Sequence, residues 1–176
     1  MSSDAGWLRA HLRDIADFPT PGITFKDITP LLADVDAFRF VVDAIADAWT
    51  GAEVDAVAGI EARGFLLGAP VAYRLGASLI PIRKPGKLPW EVVERSYDLE
   101  YGVDAVAAHR DAAAAGDRVL VVDDVLATGG TAAAACGLLE ELGATVVGVH
   151  VLLELGFLPG RARLSDRDVR SLLVEG

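Results

Sequence analysis

An α/β fold, with an open, mostly parallel sheet flanked by helices, is the class this sequence predicts, and three observations predict it. Four short runs, residues 54–60, 78–82, 118–122 and 145–153, are mostly Val, Ile, Leu and Ala with little polar alternation. Such runs suit strands buried on both faces of a parallel sheet. Stretches of helical length, 65–75 and 131–142, follow two of them, which is the rhythm of right-handed βαβ crossovers. No repeat, low-complexity tract or linker interrupts the 176 residues, so one domain spanning 1–176 is expected.

The elements follow in order. Ser3 or Asp4 can cap a first helix with Trp7, Leu8, His11, Leu12 and Ile15 on one face. Pro19 and Pro21 end it, because each fixes φ and removes a donor. Asp36 is the predicted N-cap of a second helix, with Phe38, Val41, Val42, Ile45 and Trp49 at helical spacing. The strand 54–60 runs into Glu61-Ala62-Arg63-Gly64 and the helix 65–75, and 78–82 is the next strand. Residues 83–102 carry no clear element and read as a long loop. The strand 118–122 leads into Asp123-Asp124 and a glycine turn, with Gly143 at the C′ position of the helix 131–142.

Composition narrows the function. Hydrophobic residues at 52% and charged residues at 24% describe a globular chain. A net charge of -10 repels nucleic acid and anionic lipid, so neither is an expected partner. One cysteine, Cys136, excludes an intrachain disulfide and a cysteine-rich zinc site, and on its Ala-rich helix it reads as packing. The N-terminus lacks the basic and apolar regions of a secretory signal. The longest apolar stretch, 146–158, is broken by His150 and Glu154 and is shorter than the ~20 residues that span a bilayer. A cytoplasmic protein without membrane attachment is expected. His11, His109 and His150 lack metal-ligand spacing, and His150 reads as a core histidine.

Ligands of open α/β sheets bind at the carboxyl ends of the strands. The strongest signal there is VLVVDDVLATGGT, residues 119–131. Backbone N–H groups at the start of the following helix form an anion cradle. Gly129 and Gly130 let the backbone close on a phosphate, Ala127 completes the turn, and Thr128 and Thr131 add hydroxyls. Carboxylates beside a phosphate repel it unless they bind hydroxyls or Mg²⁺. Asp123 and Asp124 next to this turn therefore ask for a ligand with both a diol and a phosphate, such as a ribose 5-phosphate. No Gly-Lys-Ser or Gly-Lys-Thr occurs, so the turn is not a kinase-type P-loop. Arg83, Lys84 and Lys87 concentrate positive charge in an acidic chain, which suits a polyanion such as pyrophosphate.

These residues resemble the phosphoribosyl-pyrophosphate (PRPP) signature of the type I phosphoribosyltransferases. Three further segments are similar to the adenine branch of that family: FPTPGITFKDITPLL (18–32), GIEARGF (59–65), and IRKPGKLP (82–89) with SYDLEYG (96–102). The resemblance implies an N-terminal hood at about 18–32, a flexible lid loop at about 83–102, and a homodimer. It implies transfer of the phosphoribosyl group of PRPP to adenine, giving AMP and pyrophosphate, with Mg²⁺ carried mainly by PRPP or pyrophosphate and no dedicated protein metal site. Asp123 and Asp124 then hold the ribose hydroxyls and face the positive charge developing on the sugar, and Ala127 to Thr131 hold the 5-phosphate. Arg83, Lys84 and Lys87 steady the leaving pyrophosphate. Glu100 manages a purine proton as general acid/base, and Tyr101 closes the lid. Phe25 stacks on adenine while backbone groups of Thr24 and Lys26 read its edge. The 61–64 loop touches pyrophosphate and holds a non-proline cis peptide, and Arg63 either faces the base or pairs with an aspartate. Another purine base, or a PRPP-sensing regulator without catalysis, stays an open alternative.

Overall fold

A computed structural model describes residues 5–99 and 102–176. Its centre is a sheet of five parallel strands in the order β4-β3-β7-β8-β9. These are β3 (Ala56–Ile60), β4 (Ser78–Ile82), β7 (Arg118–Leu126), β8 (Thr145–Leu155) and β9 (Val169–Glu175). Helices α2 (Val35–Trp49) and α3 (Arg63–Leu75) cover one face. Helix α4 (Gly130–Glu141) and an antiparallel hairpin, β5 (Val92–Leu99) with β6 (Gly102–His109), cover the other. Along β7, Val119 and Val121 join the core under α4, while Leu120 and Val122 join the core under α2 and α3. A strand with both faces covered needs no polar alternation, which is why the apolar runs were readable. The short elements are β1 (Arg13–Ile15), β2 (Phe25–Asp27), α1 (Thr29–Ala33) and α5 (Gly160–Arg163).

The N-terminus departs from the predicted helix. Residues Ala5–His11 form a 3-10 helix, and Arg13–Ile15 pairs antiparallel with Phe25–Asp27. Ion pairs hold the ribbon, Arg13 with Asp27 at 3.5 Å and Lys26 with Asp14 at 2.8 Å. That partner lies twelve residues away in sequence, beyond what a helical period registers. The cap of α2 is Asp34 rather than Asp36. Its Oδ1 accepts from the N–H groups of Asp36 at 3.0 Å and Ala37 at 2.9 Å. The expected long loop 83–102 is partly strand, because residues 92–99 pair with 102–109 and pack on α4. Strand β7 continues to Leu126, so Asp123 and Asp124 sit in the strand rather than after it. Strand β9, which pairs parallel to β8, had no counterpart among the expected strands.

Candidate active site

At the carboxyl end of β7 the chain turns through Ala127, Thr128 and Gly129 into α4. Gly129 precedes the helix at φ 77°, in the left-handed region that a residue with a Cβ avoids. No side chain caps this helix, so its first N–H groups are presented by backbone alone. The turn and strand end enclose a cavity of about 90 Å³ lined by Asp123, Leu126, Thr128, Gly130 and Thr131, among others. A turn of peptide N–H groups at a helix start suits a phosphate.

Asp123 lines this cavity, and Asp124 follows it in the strand. Asp123 Oδ1 accepts from the Asp124 N–H at 2.9 Å. Asp124 is 4% exposed and meets Arg63 Nε at 2.9 Å. Burial pushes the Asp123 carboxyl well above the usual range, and the neighbouring charge of Asp124 adds to it. Burial also raises Asp124, with Arg63 acting against the shift. Poorly solvated carboxylates of this kind are relieved by a ligand that donates hydrogen bonds.

The loop after β3 brings a second strand end to the same place. The Glu61–Ala62 peptide is cis. A Cβ on Gly64 would lie 2.9 Å from both Asp123 Oδ1 and the Val122 carbonyl, so the helix start reaches the acid pair only because Gly64 has no side chain. Arg63, the first residue of α3, pairs with Asp124, donates to the Lys26 carbonyl at 2.9 Å, and lies 4.4 Å from the Phe25 ring centroid. The pairing with Asp124 meets the aspartate reading of Arg63.

The chain matches the family model of the phosphoribosyl transferase domain over residues 25–172. It is 57% identical over 173 residues to the adenine phosphoribosyltransferase of Thermobifida fusca, covering 98% of each chain. The chain belongs to the adenine phosphoribosyltransferase family. Its fold is also that of family members with solved structures. The enzyme of Thermoanaerobacter pseudethanolicus superposes with a TM-score of 0.95 at 48% identity, covering 97% of this chain and 99% of that one. The Saccharomyces cerevisiae enzyme, solved with an imino-altritol bisphosphate and adenine, gives 0.91 at 38% identity, covering 98% and 100%.

Against this family the remaining site residues can be placed. Thr24 is exposed just before β2, and Phe25 lies in β2 with Phe18 edge-on at 5.1 Å. Lys26 is 8% exposed, with Nζ between Asp14 at 2.8 Å and Glu175 at 2.6 Å. Arg83 and Lys84 of the basic cluster are paired with carboxylates. Arg83 Nε and Nη2 donate to Glu61 at 3.1 and 3.3 Å, and the Lys84 N–H donates to the same carboxylate at 2.9 Å. The Lys84 N–H and Arg83 hold Glu61 below the usual carboxylate range. The Lys84 ammonium pairs with Asp104, whereas Lys87 is exposed. Glu100 and Tyr101 lie outside the described residues.

Three features had no expected role in the sequence. Glu61 anchors Arg83 and Lys84, and its place in the EARG loop was the only signal. Tyr97 and Asp104 touch Lys84. Gly160 backs the cradle, since a Cβ there would meet the Ala127 carbonyl at 2.3 Å and Leu126 Cγ at 2.9 Å. Arg161 beside it donates to Glu154 at 2.8 Å and to the Val169 carbonyl at 2.8 Å, which fixes that segment on β8 and β9. His150 is a core residue, accepting from Trp49 Nε1 at 2.9 Å, with burial lowering its pKa to about 4. Burial pushes the Cys136 thiol up to about 12, which removes it as a nucleophile at neutral pH.

Proposed function

We propose that the chain transfers the 5-phosphoribosyl group of PRPP to adenine, giving AMP and pyrophosphate. One observation carries the reading: of two adjacent, poorly solvated carboxylates, Asp123 lines a glycine-turn cavity at a helix start and Asp124 follows it in the strand. That combination matches a diol and a phosphate on one sugar. The Trypanosoma brucei relative was solved with AMP, pyrophosphate and ribose-5-phosphate, and the yeast relative with adenine. Both complexes agree with the proposed ligands.

In this reading Ala127, Thr128, Gly129, Gly130 and Thr131 hold the 5-phosphate, and Asp123 and Asp124 accept from the ribose hydroxyls. The carboxylates also stabilise positive charge on the sugar as its bond to pyrophosphate breaks. Adenine lies on Phe25 with its edge toward backbone groups of Thr24 and Lys26, beside Arg63. It attacks C1 opposite the leaving group, so the anomeric carbon inverts. Arg83, Lys84 and Lys87 draw off the charge of pyrophosphate. Glu100 takes or returns a proton at the purine N7 or N9, and Tyr101 covers the site, the lid 83–102 and hood 18–32 excluding water. Among the described residues no cluster of three metal-binding side chains occurs, and Asp124 is engaged by Arg63. Mg²⁺ would be held mainly by PRPP oxygens rather than by the protein. The ion supplies neutralising charge to the departing pyrophosphate.

A homodimer belongs to this reading. Among the described residues no helix is long and apolar enough to cross a membrane. The test is product analysis after mixing the protein with PRPP, Mg²⁺ and adenine, guanine, hypoxanthine or xanthine. AMP is expected as the main product, with kcat/KM for adenine at least ~10²-fold above the other bases, as hydrogen-bond readout of a polar group allows. Equal use of guanine would place the chain with another base. No nucleotide from any base would leave a binding protein.

A further inference from the structure

The hairpin β5–β6 brings two side chains against the cradle that the reaction as described does not use. Tyr97 Oη donates to Asp104 Oδ2 at 2.9 Å and accepts from Thr131 Oγ1 at 2.9 Å and from Lys84 Nζ at 3.1 Å. The Lys84 ammonium also pairs with the same Asp104 carboxylate, whose other oxygen accepts from the Ala105 N–H at 2.8 Å. Four polar side chains from three parts of the chain thus form one network. The Tyr97 ring rests on the start of α4, because a Cβ on Gly130 would meet its Cδ2 at 3.0 Å. Two hydrogen bonds through a single phenol oxygen connect the Lys84 ammonium to the Thr131 hydroxyl.

We propose that Tyr97 and Asp104 are positioning residues that hold the Lys84 ammonium beside the phosphate cradle for PRPP. The proposal rests on the phosphoribosyl reading and deepens it. A lysine head on a four-carbon stem is otherwise spread over many rotamers, and ordering it opposes binding. Tyr97 and Asp104 do that ordering before the substrate arrives. They use two of the three ammonium donors and leave the third for a phosphate oxygen. Thr131 has one hydroxyl proton, given to Tyr97 in this structure, and a phosphate dianion can take it over while Tyr97 keeps Lys84 and Asp104. The alternative view is pure charge. The Lys84 ammonium and the Ala105 N–H keep Asp104 ionised, and a carboxylate near a polyanion site repels the substrate. The two views differ in sign, which makes them separable.

The experiment is steady-state kinetics of the wild-type protein and of Tyr97→Phe, Asp104→Ala and Asp104→Glu, with PRPP and adenine varied separately. Positioning predicts that KM for PRPP rises about tenfold in Tyr97→Phe and Asp104→Ala, the worth of one charge-assisted hydrogen bond. KM for adenine should move less than about twofold. Asp104→Glu should recover most of the loss. In a Lys84→Ala background, Asp104→Ala should add nothing, because both act through one ammonium. An unchanged or lowered KM for PRPP in Asp104→Ala overturns the proposal and leaves Asp104 as a repulsive charge. An equal rise in KM for both substrates also overturns it, as a general structural defect. A wild-type protein that forms AMP while both variants keep its KM values overturns this inference alone. A wild-type protein that forms no nucleotide overturns the reading beneath it as well.

Discussion

Exchanging Asp123 and Asp124 together for Asn is expected to lower kcat/KM for PRPP by about 10²-fold or more. Each charge-assisted hydrogen bond to a ribose hydroxyl is worth about 1.5–3 kcal/mol. Two such bonds correspond to a factor of about 10² to 10⁴ at ~1.36 kcal/mol per decade. A loss below tenfold would remove the diol role. Stability should move the other way in the single variant Asp123→Asn. Burial and the Asp124 charge hold the Asp123 carboxyl well above its ordinary value. Between about 4, the ordinary Asp value, and that raised value the folded protein binds more protons than the unfolded chain. Stability contributed by the neutral acid is therefore full below about pH 4 and is lost as the pH rises through this window. Asp123→Asn removes the loss, so the variant should be the more stable protein at neutral pH, with the gap closing on acidification. The lowered carboxyls of Glu61 and Asp104 change stability in the opposite sense, but they are common to both proteins. Urea unfolding at a series of pH values reads the difference. A less stable variant at pH 7 would mean that the acid pair is comfortably solvated.

Gly160→Ala is expected to lower kcat/KM for PRPP by about 10²-fold although Gly160 is outside the signature motif. Its new Cβ would fall 2.3 Å from the Ala127 carbonyl and 2.9 Å from Leu126 Cγ. The nearer atom is backbone of the phosphate turn, so the turn itself must give way. Displacements on the order of 1 Å in a positioned site suffice for a 10²-fold loss. Overpacking of this kind also destabilises by about 1–3 kcal/mol. The Arg161 clamp to Glu154 and the Val169 carbonyl opposes relief by movement of the 160 segment. Saturation with PRPP should restore much of the rate, because the chemistry at C1 is untouched. Kinetics within twofold of wild type would show that the turn is free to shift, and that Gly160 has no part in shaping it.

The legible parts of this protein were those whose residue types answer to their own neighbourhood. Strands β3, β7 and β8 carry apolar residues toward both cores, so a run of Val and Leu announced them. The acids and glycines of 123–131 lie in one continuous stretch, so the turn and the cavity it lines could be read directly. Pairings between distant segments left little trace. Arg13–Ile15 looked like the tail of a helix because its ribbon partner is Phe25–Asp27. The hairpin 92–99 with 102–109 mixes polar and apolar residues and joins the core beside α4 and β4. Arg83 and Lys84 looked like free cations, because Glu61 and Asp104 approach them only after folding. The cap of α2 was displaced by two residues, since Asp34 and Asp36 are chemically equal and only backbone geometry selects Asp34.

The most direct measurement is a crystal structure of the protein with AMP bound. It should show the Asp123 and Asp124 carboxylates within hydrogen-bond distance, about 2.5–3.0 Å, of the ribose hydroxyls. The phosphate should be held by the N–H groups and hydroxyls of residues 127–131. A phosphate lodged elsewhere, with Asp124 still turned to Arg63 and the sugar touching neither acid, would contradict the account.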